Sequence, residues 1–445
     1  MPFLRGQVSF CRLGIAAGPG ITTDQGTLDV LSEHTISPGP RVGAPAEVEA
    51  GWCAGRHLYD ERFTYDKNVL MDGAIWQAGL RIDTNRVPGE VKRAIKAQHE
   101  DAAVTAPGGF LSRGQKREVK DLVERALHDE LASGKHRRSA LVDVLADTDR
   151  GVLLSAAAGN GVIEKLCALY RETFGDSLTP HSAGAIASAL LSDMGRRREL
   201  EDALPTPFTE APSGADGSPP EVSWARGSNE PADFLGNEFL LWLWFRTDQG
   251  EGMITADLDK GAKAEVAVAL DRTVEMECAW AITGKQTLKG DTDGLSPFRL
   301  PEAWDALGTG KWPRRVGMLL AEGAEQWMFS FQGDRWLVSG CTLPSTEEKF
   351  ETVREANEFR VAQVRRLDEL LIGTYRSFLA LRTSPKWAEE RQAMRSWIAG
   401  RRPERRGRPV APSAKPRPPV EVPAPDATPA ADGASSEAAP FAANA

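Results

Sequence analysis

No two of the five cysteines (Cys11, Cys53, Cys167, Cys278, Cys341) form a C-x-x-C pair, and their number is odd. That argues against a disulfide frame or a cysteine-rich zinc site and fits reduced thiols in a cytosolic protein. The six histidines (His34, His57, His99, His128, His136, His181) show neither H-x-H nor H-E-x-x-H spacing, so no histidine metal centre is visible. G-x-S-x-G is missing. Ala158-Gly159-Asn160-Gly161 falls between a predicted strand and a predicted helix, but lacks the following Lys-Ser/Thr of a P-loop and reads as a plain turn. No apolar run approaches the roughly 20 residues of a membrane span. Residues 1–20 have no long apolar core and carry Arg5 and Arg12, so no signal peptide is expected. These absences predict a cytoplasmic chain with no cofactor and no metal.

Positive charge is also in short supply. The formal net charge is −9, which excludes a uniformly basic nucleic-acid binder but leaves room for a basic cleft on an acidic body. Acid pairs at i, i+2 (Asp147/Asp149, Asp257/Asp259, Asp291/Asp293) lie in or beside predicted turns, where Asp is common for backbone reasons. A two-metal nuclease needs several such carboxylates converging on ions about 4 Å apart.

At 445 residues, 41% hydrophobic and 26% charged, the chain fits a globular protein of two or three domains. Residues 1–204 read as an α+β unit. Strands are predicted at 7–13, 78–82, 141–147 and 152–156. Helices are predicted at 87–100, 112–131 and 160–174, with Gly175 as a C-terminal stop. In the second of these, Val119, Leu122, Val123, Ala126 and Leu127 recur at helical spacing, and Ser112 with Gln115 makes a capping box.

Residues 205–232, rich in Pro, Gly and Ser, read as a flexible linker or insertion. A β-rich unit is expected over 233–400. It opens on Phe239-Leu240-Leu241-Trp242-Leu243-Trp244-Phe245, seven large apolar residues in a row, buried as either a helix or a core strand. Strands follow at 253–258, 265–270, 274–282, 316–321, 327–332 and 336–341, with a hairpin signal at Gln332-Gly333-Asp334. A long helix is expected over 345–381, broken at Pro385 and resumed to Trp397. Residues 401–445 form a Pro/Ala/Arg tail that composition marks as disordered.

What is present is placed positive charge. Arg113, Lys116, Arg117 and Lys120 fall within an arc of roughly 100° in the first half of one helix. Cations there oppose the macrodipole, so local stability does not explain them. The following segment, Gly134-Lys135-His136-Arg137-Arg138-Ser139, reads as a basic turn whose side chains can reach phosphates. Lys92, Arg93 and Lys96 lie on the preceding helix, and Arg196-Arg197-Arg198 is expected to end a further one. Arg401, Arg402, Arg405, Arg406, Arg408, Lys415 and Arg417 make the tail locally basic. No base-reading helix is apparent, so any nucleic-acid binding should ignore sequence.

Four ordered stretches resemble the RdgC-like, recombination-associated proteins. They are Phe3-Leu4-Arg5-Gly6-Gln7-Val8-Ser9-Phe10, then Leu80-Arg81-Ile82-Asp83-Thr84-Asn85-Arg86-Val87-Pro88 leading to Leu111-Ser112-Arg113-Gly114-Gln115-Lys116-Arg117-Glu118-Val119-Lys120. Asp149-Arg150-Gly151-Val152 with its helix comes third, and Gly236-Asn237-Glu238-Phe239 with the aromatic run comes last. The resemblance implies an α+β, non-enzymatic protein of recombination or replication. It implies a homodimeric ring around double-stranded DNA that restrains the RecA recombinase and associates with the nucleoid. It places Arg113, Lys116, Arg117, Lys120, Lys135, Arg137 and Arg138 on DNA phosphates. In the turn after the basic helix the family often carries an aromatic; this chain has Lys-His-Arg-Arg instead. The 205–232 and 401–445 segments have no counterpart in that pattern. Two other readings compete, a metal-dependent exonuclease built on the Asp pairs and a protein-interaction scaffold built on the long helix and tail.

Overall fold

A computed structural model describes residues 3–16, 23–36, 46–104, 109–215, 217–225, 232–290, 296–347 and 349–401. The Asp291/Asp293 pair and the tail cations from Arg402 onward lie outside the described residues.

The chain folds as α+β around one large antiparallel sheet. It opens with β1 (Val8–Ile15), α1 (Gln25–Glu33) and β2 (Val48–Cys53), then α2 (Tyr65–Asn68), β3 (Val69–Leu70) and the long β4 (Ile75–Asn85). Two helices, α3 (Gly89–Ala103) and α4 (Arg113–Ala132), separate β4 from its partner β5 (Arg137–Asp147). Next come β6 (Val152–Ser155), α5 (Asn160–Phe174), β7 (Leu178–Pro180), α6 (Ala183–Asp193) and α7 (Arg197–Glu201). The second half holds α8 (Phe234–Asp248), β8 (Met253–Asp257), β9 (Lys263–Cys278), β10 (Gln286–Lys289) and α9 (Pro301–Gly308). It closes with β11 (Lys311–Glu322), β12 (Glu325–Gln332), β13 (Leu337–Thr342), α10 (Val353–Arg382) and α11 (Trp387–Gly400).

Strand order is β10-β9-β11-β12-β13-β1-β6-β5-β4-β2, with β8 on β9, β7 on β1 and β3 on β4. The halves meet where β1 pairs with β13, Phe10 opposite Val338 and Cys11 opposite Leu337. Residues 1–204 and 233–400 therefore share a sheet within one compact unit, where the sequence suggested two domains. Alternating apolar residues say that a strand is half buried; they do not say which strand lies beside it.

The aromatic run is a helix. Twelve consecutive residues of α8, Phe234 to Phe245, are buried. A helix covered on every side needs no polar face, so its sequence carries no 3.6-residue period and resembles a core strand. Trp244 packs against Phe298, Trp304 and Trp397 at ring-centre distances of 5.0, 5.2 and 5.9 Å. Glu238, fully buried, accepts from Arg382 Nε and from the Thr206 backbone N–H, both at 2.7 Å. Gly236 lies directly on the β12–β13 turn: a Cβ there would sit 2.3 Å from the Gly333 carbonyl oxygen.

Four other expectations change. The two strands predicted at 265–270 and 274–282 are one strand, β9, bulged where Arg272 adopts φ 65° opposite Gly317. The bulge interrupts the alternation without ending the strand. The long helix starts at Val353, not residue 345. The 205–232 segment is anchored in its described part, because Thr206, Phe208, Ala215 and Val222 are buried, and Phe208 meets Trp312 at 5.4 Å. A few apolar anchors among prolines are enough to pin a segment that composition marks as a linker. Arg196 does not end a helix. It precedes α7 and donates to the Ala380 carbonyl and Thr383 Oγ1 at the C-terminal end of α10. There the cation complements a different helix's dipole.

A buried ionic seam ties α10 to the N-terminal strands. Asp368 takes Arg12 of β1 at 3.3 Å and Arg150 of the β5–β6 turn at 3.0 Å, and Arg365 takes Asp147 at 2.8 Å. Arg12 also donates from Nη1 to His181 Nδ1 at 2.7 Å. An arginine only donates, so His181 is neutral with its proton on Nε2. Burial, reinforced by Arg12, lowers its pKa from 6.5 to about 3. Between those values the unfolded chain takes up a proton that the native ring refuses, so stability falls as pH drops through that window. His181→Gln keeps an acceptor for Arg12 and removes the titration. The thermal midpoint of the variant should fall less than that of the native protein between pH 6.5 and 4. Both share every other titrating group, including Asp143, which burial pushes up to about 6. Parallel curves would reject the assignment.

Candidate nucleic-acid interface

The helices α3 and α4 form a hairpin between two paired strand ends. Their sequences are strongly polar, and the fold leaves them that way: α3 buries no residue and α4 buries only Val119. The start of α4 is fixed by the capping box, with the Ser112 side chain accepting from Gln115 N–H and Gln115 Oε1 accepting from Ser112 N–H. Gln115 Nε2 also donates to the Ala103 carbonyl at the end of α3, at 2.8 Å. At the other end Asn85 Nδ2 donates to the Leu131 carbonyl, also at 2.8 Å. These two bonds make the pair antiparallel.

Half-buried Val91, Ile95 and His99 of α3 face the stripe of Gln115, Val119 and Val123 in α4. Each of Lys92, Lys96, Lys116 and Lys120 follows such a stripe residue by one position, about 100° round the helix. In an antiparallel pair the same rotation away from the facing stripes leads to the same side. The lysines of both helices therefore lie on one flank of the hairpin, and Arg113 and Arg117 extend it. All six are exposed. The twenty-residue α4 is about 30 Å long, close to one turn of duplex.

The seven residues expected to bind phosphates divide into three groups. Arg113, Lys116, Arg117 and Arg138 are exposed and hold no carboxylate among the described residues. Lys120 and Lys135 make loose, exposed pairs, Lys120 with Glu124 at 3.7 Å and Lys135 with Glu130 at 3.6 Å, contacts that contribute at most about 1 kcal/mol. Arg137 is committed elsewhere. It and Arg138 are the first two residues of β5, not part of a turn. Arg137 donates to Asp83 Oδ2 at 2.5 Å and reaches Glu49 at 3.7 Å. Arg81 holds the same Asp83 at 2.7 Å. Burial pushes the Asp83 carboxyl up, but hydrogen bonds from Arg81, Ser139 and Arg137 outweigh it and hold the pKa below the ordinary carboxylate value. Arg137 thus cross-links β2, β4 and β5. Sequence spacing could not reveal this, because Arg137 and Asp83 are 54 positions apart.

Comparison with protein-family models and with curated proteins finds no match. The reading of this surface therefore stands on its geometry and on the sequence resemblance alone.

The competing sites are accounted for differently. Asp147 and Asp149 hold Arg365, Asp259 holds Arg376 at 2.6 Å, and Asp257 meets Lys263 at 3.8 Å. Among the described residues no three His, Cys, Asp or Glu side chains are grouped to hold a metal ion. The long helix α10 buries thirteen residues, from Val361 to Leu379, so it is core and not a free docking helix. No helix of the described residues is long and apolar enough to cross a membrane.

Proposed function

We propose that this chain is a non-enzymatic, sequence-independent binder of double-stranded DNA acting in recombination or replication, as its resemblance to RdgC-like proteins implies. One observation carries the reading. Six exposed cations share one flank of an antiparallel hairpin, with Glu100 and Glu124 as neighbouring carboxylates, on a chain whose net charge is −9. The hairpin offers almost no buried apolar surface of its own, so its sequence is not explained by core packing. Long cationic side chains on a straight flank meet phosphates through charge alone and carry no donor–acceptor pattern for base edges. A homodimer enclosing the duplex, and restraint of RecA through occupation of DNA, belong to the same proposal. Duplex affinity measured against salt concentration tests it. With about five phosphate contacts, the slope of log K on log salt should be near −4.5. A flat response would remove the proposal.

A further inference from the structure

The hairpin carries six cations on one flank without a core to lock its two helices together. Val119 is the one buried side chain of α3 and α4, and Val91, Ile95 and Val123 around it are only half buried. Helix pairs are aligned by side chains that interlock along a continuous stripe, and apolar contact this sparse aligns them weakly. At the root, the sheet does the work. Asn85, the last residue of β4, pairs with Arg137 at the start of β5, and its buried side chain grips the Leu131 carbonyl. Gln115 lies about 24 Å along α4 from Leu131, so a small change of angle at the root becomes a large displacement there.

At that far end the tie is an uncharged side chain with two tasks. Gln115 Oε1 accepts from Ser112 N–H and completes the capping box, while Nε2 donates to the Ala103 carbonyl that ends α3. The first bond starts α4. The second holds α3 beside it, and with α3 come Lys92 and Lys96.

We infer that Gln115 is a positioning residue for duplex binding: its amide sets the lysines of α3 level with Arg113, Lys116, Arg117 and Lys120 of α4, so that both helices meet one duplex at once. The inference rests on the DNA-binding reading of the flank. Linked weak contacts multiply only when geometry allows them to engage together. With the tie broken the helices splay, and one set of cations engages the backbone without the other.

The test is a double-mutant cycle on the full chain, read as duplex affinity against salt concentration. In the native background, Lys92→Ala with Lys96→Ala should weaken binding by on the order of tenfold at about 0.1 M salt and flatten the slope of log K on log salt by about 1.8. In a Gln115→Ala background the same two substitutions should change affinity by less than about twofold and leave the slope nearly unchanged. Ser112→Ala is the control. It removes the hydroxyl acceptor of the capping box but keeps the bond from Gln115 to Ala103, so the lysines should count there as they do in the native chain. Equal lysine effects in the native and Gln115→Ala backgrounds would overturn the inference and leave the cationic flank standing. Loss of the lysine effect in Ser112→Ala as well would assign it to the helix cap and overturn the tie. Native duplex binding without salt dependence would remove the DNA-binding reading and this inference with it.

Discussion

Replacing Lys116, Arg117 and Lys120 together by alanine is expected to weaken binding to every duplex sequence by on the order of 10²-fold at about 0.1 M salt. Each lost phosphate contact should also flatten the slope of log K against log salt by about 0.9, or about 2.7 for three. The fold should survive. All three side chains are exposed, alanine is the best helix former, and only the loose Lys120–Glu124 pair is lost, about 0.3–0.5 kcal/mol. Loss confined to some sequences would point to base reading instead. Arg137→Ala supplies the contrast. It removes a guanidinium that braces Asp83 between strands, so its larger effect should be on unfolding than on the salt slope. If Arg137→Ala flattens the slope as much as a flank lysine does, the division of cations made above is wrong.

Asp368→Ala is expected to cost about 3–5 kcal/mol of stability, because it leaves the half-hidden charges of Arg12 and Arg150 facing each other without a carboxylate. Asp368 itself is 1% exposed, so water cannot substitute for it. The triple variant Arg12→Met, Arg150→Met with Asp368→Leu should recover part of that loss, since apolar side chains of similar volume avoid burying charge. Urea unfolding measures both, and a loss under about 1 kcal/mol for Asp368→Ala would show the seam to be dispensable. The effect also reaches the candidate interface. Arg150 occupies the β5–β6 turn and Arg365 grips Asp147 at the end of β5, the strand that carries the hairpin at its other end. Loosening the seam frees that strand's far end, so duplex affinity at fixed salt should fall modestly while the salt slope stays.

Much of the local structure was legible. The capping box of α4, the stop of α5 at Gly175 with φ 68°, and the β12–β13 turn all carry their chemistry in adjacent residues. The cationic arc of α4 was legible for the same reason, since helical phase depends only on spacing. The state of the aromatic run was not, because complete burial erases the period that distinguishes a helix from a strand. Nor was the role of Arg137: it depends on register between β4 and β5, which brings Asp83 opposite Ser139 and within reach of a residue two positions back.

The sequence by itself determined that α4 and α5 are helices, that α4 begins at its capping box, and that positive charge is concentrated in the first half of α4 within an acidic chain. These are consequences of spacing and of side-chain chemistry within a few residues. Tertiary structure alone decided that both halves complete a single sheet, that α3 adds its lysines to the flank of α4, and that Arg137 serves Asp83 while its neighbour Arg138 stays free. The physical reason is that pairing partners, and therefore which charges are neutralised, are set by contacts between residues far apart in the chain.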